Sequence, residues 1–233
     1  MNKIFNKATN VCVWLGEENN NSTLAIQLIN LINWRNLGLD AWSNEPSRLP
    51  EKKALFDLSH RPWFSRRWVL QEIALARQAQ IYVGSHEANW ADFVVAISLL
   101  REGGRFLYSN HTPALSLVEA THNLFHKSDE GEIVQKLLPL EEVVANSISF
   151  DSARFHDIVY SALSVAATPV ASDVEVVGIQ KPTSYRVNYT LSFDEFTADF
   201  ISYVTKTSGR LDIILRPWHS YKLLCSDEGM MPT

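Results

Sequence analysis

Val11-Cys12-Val13-Trp14-Leu15-Gly16 is the stretch on which the fold class turns. Five consecutive apolar residues closed by a glycine read as a buried strand, although their number alone also fits a piece of helix. A strand buried in this way needs neighbours on both sides. Met1 to Thr9 offers none: it reads as the end of a helix with Ile4, Phe5 and Ala8 on one side.

Outward from that strand the pattern is mostly helical. Ser22 is placed to cap a helix whose apolar face runs from Leu24 to about Leu37. A short helix is expected over Glu51–Ser59, with Pro62 at the start of the next element. Phe64 to Ala79 reads as one uninterrupted helix, with Trp68 in the core, followed by a strand Ile81-Tyr82-Val83 that Gly84 ends. Asn89 caps a helix over Trp90–Leu100, and further helices are expected at Pro113–Phe125, Glu132–Val144, Phe155–Ala167 and Phe193–Val204. Val174 to Ile179 is strand-like. The count is mostly helix with a few short strands, an α/β or α+β pattern that we take as α/β.

Composition narrows the function classes. The 233 residues carry 21 lysines and arginines against 26 aspartates and glutamates, a net charge of −5, which speaks against nucleic acid as the main partner. No apolar run approaches the roughly 18 residues of a membrane span, and MNKIFNKATN has no apolar signal core, so a cytoplasmic chain is expected. Cys12 and Cys225 have no metal-ligand spacing. His122 and His126 stand four apart but lack the glutamate between them and a third ligand, and no metal site is assigned. Neither a dinucleotide glycine motif nor a phosphate loop occurs.

The densest chemistry lies in His60–Ala76, HRPWFSRRWVLQEIALA. Between Glu51 and Gln80 stand six basic and three acidic residues inside an acidic chain. Arginines at a helix start are badly placed for its dipole, and make sense against a carboxylate, a phosphate or a tryptophan face. Glu72, four residues after Trp68, reads in two ways. Beside a large apolar ring it is a raised-pKa acid or base; paired with Arg66 or Arg67 it is a structural tie. Asp151, Arg154, His156 and Asp157 form a second polar group, with Asp157 also fitting an ordinary first-turn acid.

Four stretches carry a family resemblance. Met1 to Gly16 resembles the M-x-x-I-Y-x-x-A-x-x-V-x-V-W-L-G segment of fungal heterokaryon incompatibility (HET) domains, with Trp14 and Gly16 in place. Arg61-Pro62-Trp63-Phe64-Ser65-Arg66-Arg67-Trp68-Val69-Leu70-Gln71-Glu72 resembles that family's R-P-W-F-x-R-x-W-x-x-Q-E stretch. Arg154-Phe-His-Asp157-Ile-Val-Tyr160 is similar to its R-x-x-D-x-V-Y segment, and Val187-Asn188-Tyr189 to the block that follows. Ala162 and Ser164 stand where leucine and glycine are usual.

The resemblance implies residues 1–84 as the C-terminal part of a HET domain and 85–233 as a mainly helical extension. The family's upstream segments, with their strands, are missing before Met1, which implies a truncated domain with an open edge on the Val11–Leu15 strand. It implies a non-enzymatic module for non-self recognition and cell death, working through protein partners or self-association and needing no cofactor. HET domains are also held to resemble TIR domains, some of which cleave NAD. Under that alternative Glu72 is the catalytic residue, Arg66 and Arg67 are phosphate contacts, and Trp68-Val69-Leu70-Gln71-Glu72 matches a W-C-x-x-E helix with valine in place of cysteine.

Overall fold

The structure is a computed structural model and describes residues 2–19, 21–31, 48–103, 111–167 and 185–218. The strand-like Val174–Ile179 and the end of the first long helix lie outside those residues. The fold is mixed α/β and mostly helical, with short strands in two small open sheets.

The first sheet is built from β1 (Val11–Trp14), β2 (Ala79–Val83) and β3 (His86–Asn89), in the order β1-β2-β3. β1 runs parallel to β2, with Val13 beside Ile81, and β2 turns into the antiparallel β3. Alternation does the sorting: Val11, Val13, Ala79, Ile81 and Val83 face the core, while Cys12 and Trp14 face outward. Among the described residues β1 is an edge strand, so the open edge expected for it is present.

Gly84 makes the β2–β3 turn at φ +53°, and a Cβ there would stand 2.9 Å from that of Glu18, so only glycine fits. Helix α1 (Asn2–Lys7) precedes β1, and α2 (Ser22–Leu31) and α3 (Leu49–Leu58) fill the crossover to β2. Pro62–Ser65 is a single 3-10 turn and α4 is Val69–Ala74.

The one long helix expected over Phe64–Ala79 is therefore broken. Arg66 is extended (ψ 128°) because it bridges to Asp151, and the Arg67 amide donates to the Asp151 carbonyl at 3.0 Å. A tertiary backbone pairing overrides the local helical pattern. α5 (Trp90–Gly103) starts where Asn89 suggested, the Asn89 side chain accepting from the Ala91 amide at 2.7 Å.

α6 (Pro113–His122) is followed by a hairpin, β4 (Phe125–Lys127) and β5 (Ile133–Lys136), and only then by α7 (Leu140–Asn146). The helix expected over Glu132–Val144 thus yields its first half to a strand. Gly131 at φ +77° closes the turn, and Pro139 bars a helix from running back through it. The helix expected over Phe155–Ala167 is regular only in α8 (Asp157–Tyr160).

α9 (Phe193–Ser208) is the longest described helix. It opens on a capping box, Ser192 and Glu195 each bonding the other's backbone, and buries Phe196, Phe200 and Val204. One continuous hydrophobic core links residues from Val11 to Trp218.

Tyr160, Tyr185 and Tyr189 border this last part of the core, and burial raises all three phenols above their ordinary value. Tyr189 is pushed up to about 12, by burial first and then by its bond to Asp157. Each keeps its proton to higher pH in the folded chain than in the unfolded one, where the phenol titrates near 10. The Tyr189 contribution is intact below about pH 10 and is lost as pH rises through about 12. Those of Tyr160 and Tyr185 are likewise intact below about pH 10 and are lost as pH rises through their own raised values. Alkaline titration should show helix content and buried-tyrosine absorbance changing in one transition. Phenolate appearing well before unfolding would contradict this.

Candidate functional site

The motif residues of 61–72 do not gather at one open site; they fasten separate parts of the chain. Arg61, at the entrance to the 3-10 turn, reaches back to the end of β1. It donates to the carbonyls of Leu15 (3.3 Å) and Glu17 (3.1 Å) and to Ser22 Oγ (3.1 Å). Gly16 lies in that cradle at φ +103°, and a Cβ on it would stand 3.2 Å from the Arg61 guanidinium. Phe64 is fully buried and stacks on Phe93, ring centres 5.3 Å apart, with Trp63 and Trp90 at its edges. Pro62 opens the turn and is exposed.

Arg67 is 1% exposed. Its guanidinium donates to Ser147 Oγ (3.2 Å) and to the Phe150 carbonyl (2.7 Å), tying α4 to the segment after α7. Burial pulls its pKa down to about 10, against the charges of Asp157 and Asp151. Gln71, also buried, donates to the Ser161 carbonyl at 2.6 Å.

A second group forms around α8. Asp157 accepts from the Tyr189 hydroxyl at 2.8 Å. The Tyr160 hydroxyl donates to the Asn188 carbonyl and accepts from its amide, both at 2.8 Å. The His156 ring is enclosed by Phe155, Tyr160, Tyr189 and Phe196, and its Nε2 meets the Leu191 carbonyl at 3.0 Å, so that nitrogen carries the proton. The residues read from the 154–160 and 187–189 stretches are thus brought together.

Glu72 is half-buried, and burial raises its carboxyl above the ordinary range while the Arg66 charge opposes the shift. Arg66 is exposed, and the structure holds no ion pair within 4 Å between the two. Trp68, expected in the core, is only half-buried: the broken helix places it at the N-cap of α4 rather than inside a long helix.

A cavity of about 330 Å³ lies nearby between α4, Trp90, Phe125 and Lys127, and Glu72 is not among its lining residues. Its cations are used by the protein. Lys127 donates to the Ala76 carbonyl at 2.7 Å, and Arg77 holds Glu132 (2.9 Å) and the Asn6 carbonyl (3.2 Å). His122 ends α6 and His126 lies in β4, so they do not share a helix face. Among the described residues no group of three or more His, Cys, Asp or Glu could hold a metal, and no helix is long and apolar enough to cross a membrane.

Ser147 and Ser161 are the working partners that the sequence reading did not single out. They act through a single hydroxyl and a backbone carbonyl, 80 and 90 residues away from their partners, which no local pattern reports.

No curated protein and no solved structure matches the chain. Residues 1–72 match the family model described as Heterokaryon incompatibility protein (HET), a match that ends on Glu72, the last residue of the R-P-W-F motif.

Proposed function

We propose that the chain is a HET-type module of the fungal cytoplasm, a non-enzymatic unit that takes part in non-self recognition and the cell death that follows by docking to protein partners. The match of residues 1–72 carries this reading. The use of Arg61, Arg67 and Gln71 as internal fasteners supports it, and half-buried Trp68 with exposed Arg66 is left as the part of the motif that a partner can touch. Induced expression in a fungal host should slow growth or kill, and Trp68→Ala, folded by its melt, should relieve the effect. Normal growth at high expression of the folded chain would end the reading.

NAD hydrolysis is the second reading, and the raised carboxyl of Glu72 favours it. A half-buried acid that holds its proton above the usual range is suited to proton transfer. Glu72 keeps its proton to higher pH folded than unfolded, so its contribution is present below about pH 4.3 and is lost as pH rises through the raised value. Above that value the ionised, half-buried carboxylate costs stability, and there Glu72→Gln should leave the melting temperature unchanged or higher. If nicotinamide release from NAD is seen and vanishes in Glu72→Gln, the enzyme stands; no release by the folded chain removes it.

A further inference from the structure

We propose that the chain forms a twofold dimer in which β1 pairs antiparallel with β1 of a second copy. The proposal needs nothing from the family reading. The Val11 and Leu15 amides donate to the Gln78 and Tyr82 carbonyls along β2, at 2.9 and 3.0 Å. A parallel ladder alternates, so Cys12 and Trp14 between them turn their N–H and C=O groups to the open edge. Their side chains share the outer face; Cys12 is exposed and Trp14 is 50% exposed. Among the described residues no strand pairs with that edge, and Val11 to Leu15 contains no proline and no charge to protect it.

That edge is complementary to itself. With the axis through Val13, Cys12 of each copy faces Trp14 of the other, and each pair exchanges two hydrogen bonds, four in all. Trp14 then lies over the Cys12 side chain of the second copy. The two sheets join into one of six strands, β3-β2-β1 continued by its twofold image.

Charge selects the direction. Lys7 is exposed before the strand, and Glu17 and Glu18 are exposed after it. Antiparallel pairing sets the basic end of one copy against the acidic end of the other, whereas a parallel neighbour in register would set the glutamates against themselves. The contact is small, below the roughly 1,200 Å² of stable complexes, which makes the equilibrium weak.

Sedimentation velocity of the full chain between about 1 and 200 µM should show a monomer–dimer equilibrium that stops at two. Cys12→Pro removes an N–H that the β1–β2 ladder does not use, so the fold and its melt should persist while dimerisation weakens at least ~10-fold.

A second variant does not depend on tolerance of proline. In a Cys225→Ser background, Trp14→Cys puts a thiol opposite Cys12 of the second copy, at the ~5.5 Å Cα spacing that a disulfide accepts. Mild oxidation should then give a covalent dimer on a non-reducing gel, and the background chain should not. A monomer throughout, a folded Cys12→Pro that dimerises as well as the parent, open-ended polymers, or no cross-link would each overturn the proposal.

Discussion

Arg67→Ala is expected to lower the unfolding free energy by about 3–5 kcal/mol, the largest loss we foresee for a polar residue here. The guanidinium is buried and holds Ser147 Oγ and the Phe150 carbonyl. Truncation leaves the Phe150 carbonyl without this partner, at about 1–3 kcal/mol, and removes the packing of a long, fully buried apolar stem. It also takes from Ser147 Oγ one of its two bonds, the hydroxyl still donating to the Val144 carbonyl at 3.0 Å. Arg67→Lys should recover little, because a single ammonium cannot span two acceptors as a planar fork does. Arg66→Ala is the control: its side chain is exposed, and the change should stay within about 0.5 kcal/mol. Urea unfolding of the three variants checks this. Equal losses at positions 66 and 67 would mean that Arg67 does not anchor the 147–150 segment.

Phe64→Ala should cost a similar 3–5 kcal/mol for a different reason. Phe64 is 0% exposed and lies flat on Phe93, their planes 9° apart, with two indoles around it. Removing the ring opens a void between rigid aromatic walls that cannot collapse onto it. Trp68→Ala, which the sequence pattern alone would rank beside it, should cost less, since that indole is already half in water. Thermal melts of both variants decide the order, and a larger loss at Trp68 would contradict the broken-helix geometry.

That contrast shows where the sequence could be read and where it could not. Local chemistry marked the strand at Val11 and the Asn89 cap at the start of α5, because each acts over a few residues. The break at Arg66 and Arg67 was hidden, since its cause is the Asp151 backbone more than 80 residues away. The β4–β5 hairpin was hidden because Glu132 to Lys136 has apolar residues that suit either period, and pairing with Phe125–Lys127 settles it. In the motif, spacing marked Arg61 to Glu72 as special. It did not say that Arg67 and Gln71 are consumed by residues 147 to 161, while Trp68 and Glu72 stay partly open.

The Gln71 bond to the Ser161 carbonyl spans 90 residues, and this has a consequence for synthesis on the ribosome. At about 5–20 residues per second, α4 is translated some 5–20 s before its partner. During that interval the apolar residues Val69, Leu70 and Ile73, buried in the finished protein, have α1 beside their helix but lack the partners made later, α6 among them. A nascent chain paused between those two points would be a client for chaperones, and the speed of translation across residues 72–161 would set how much of it survives to fold.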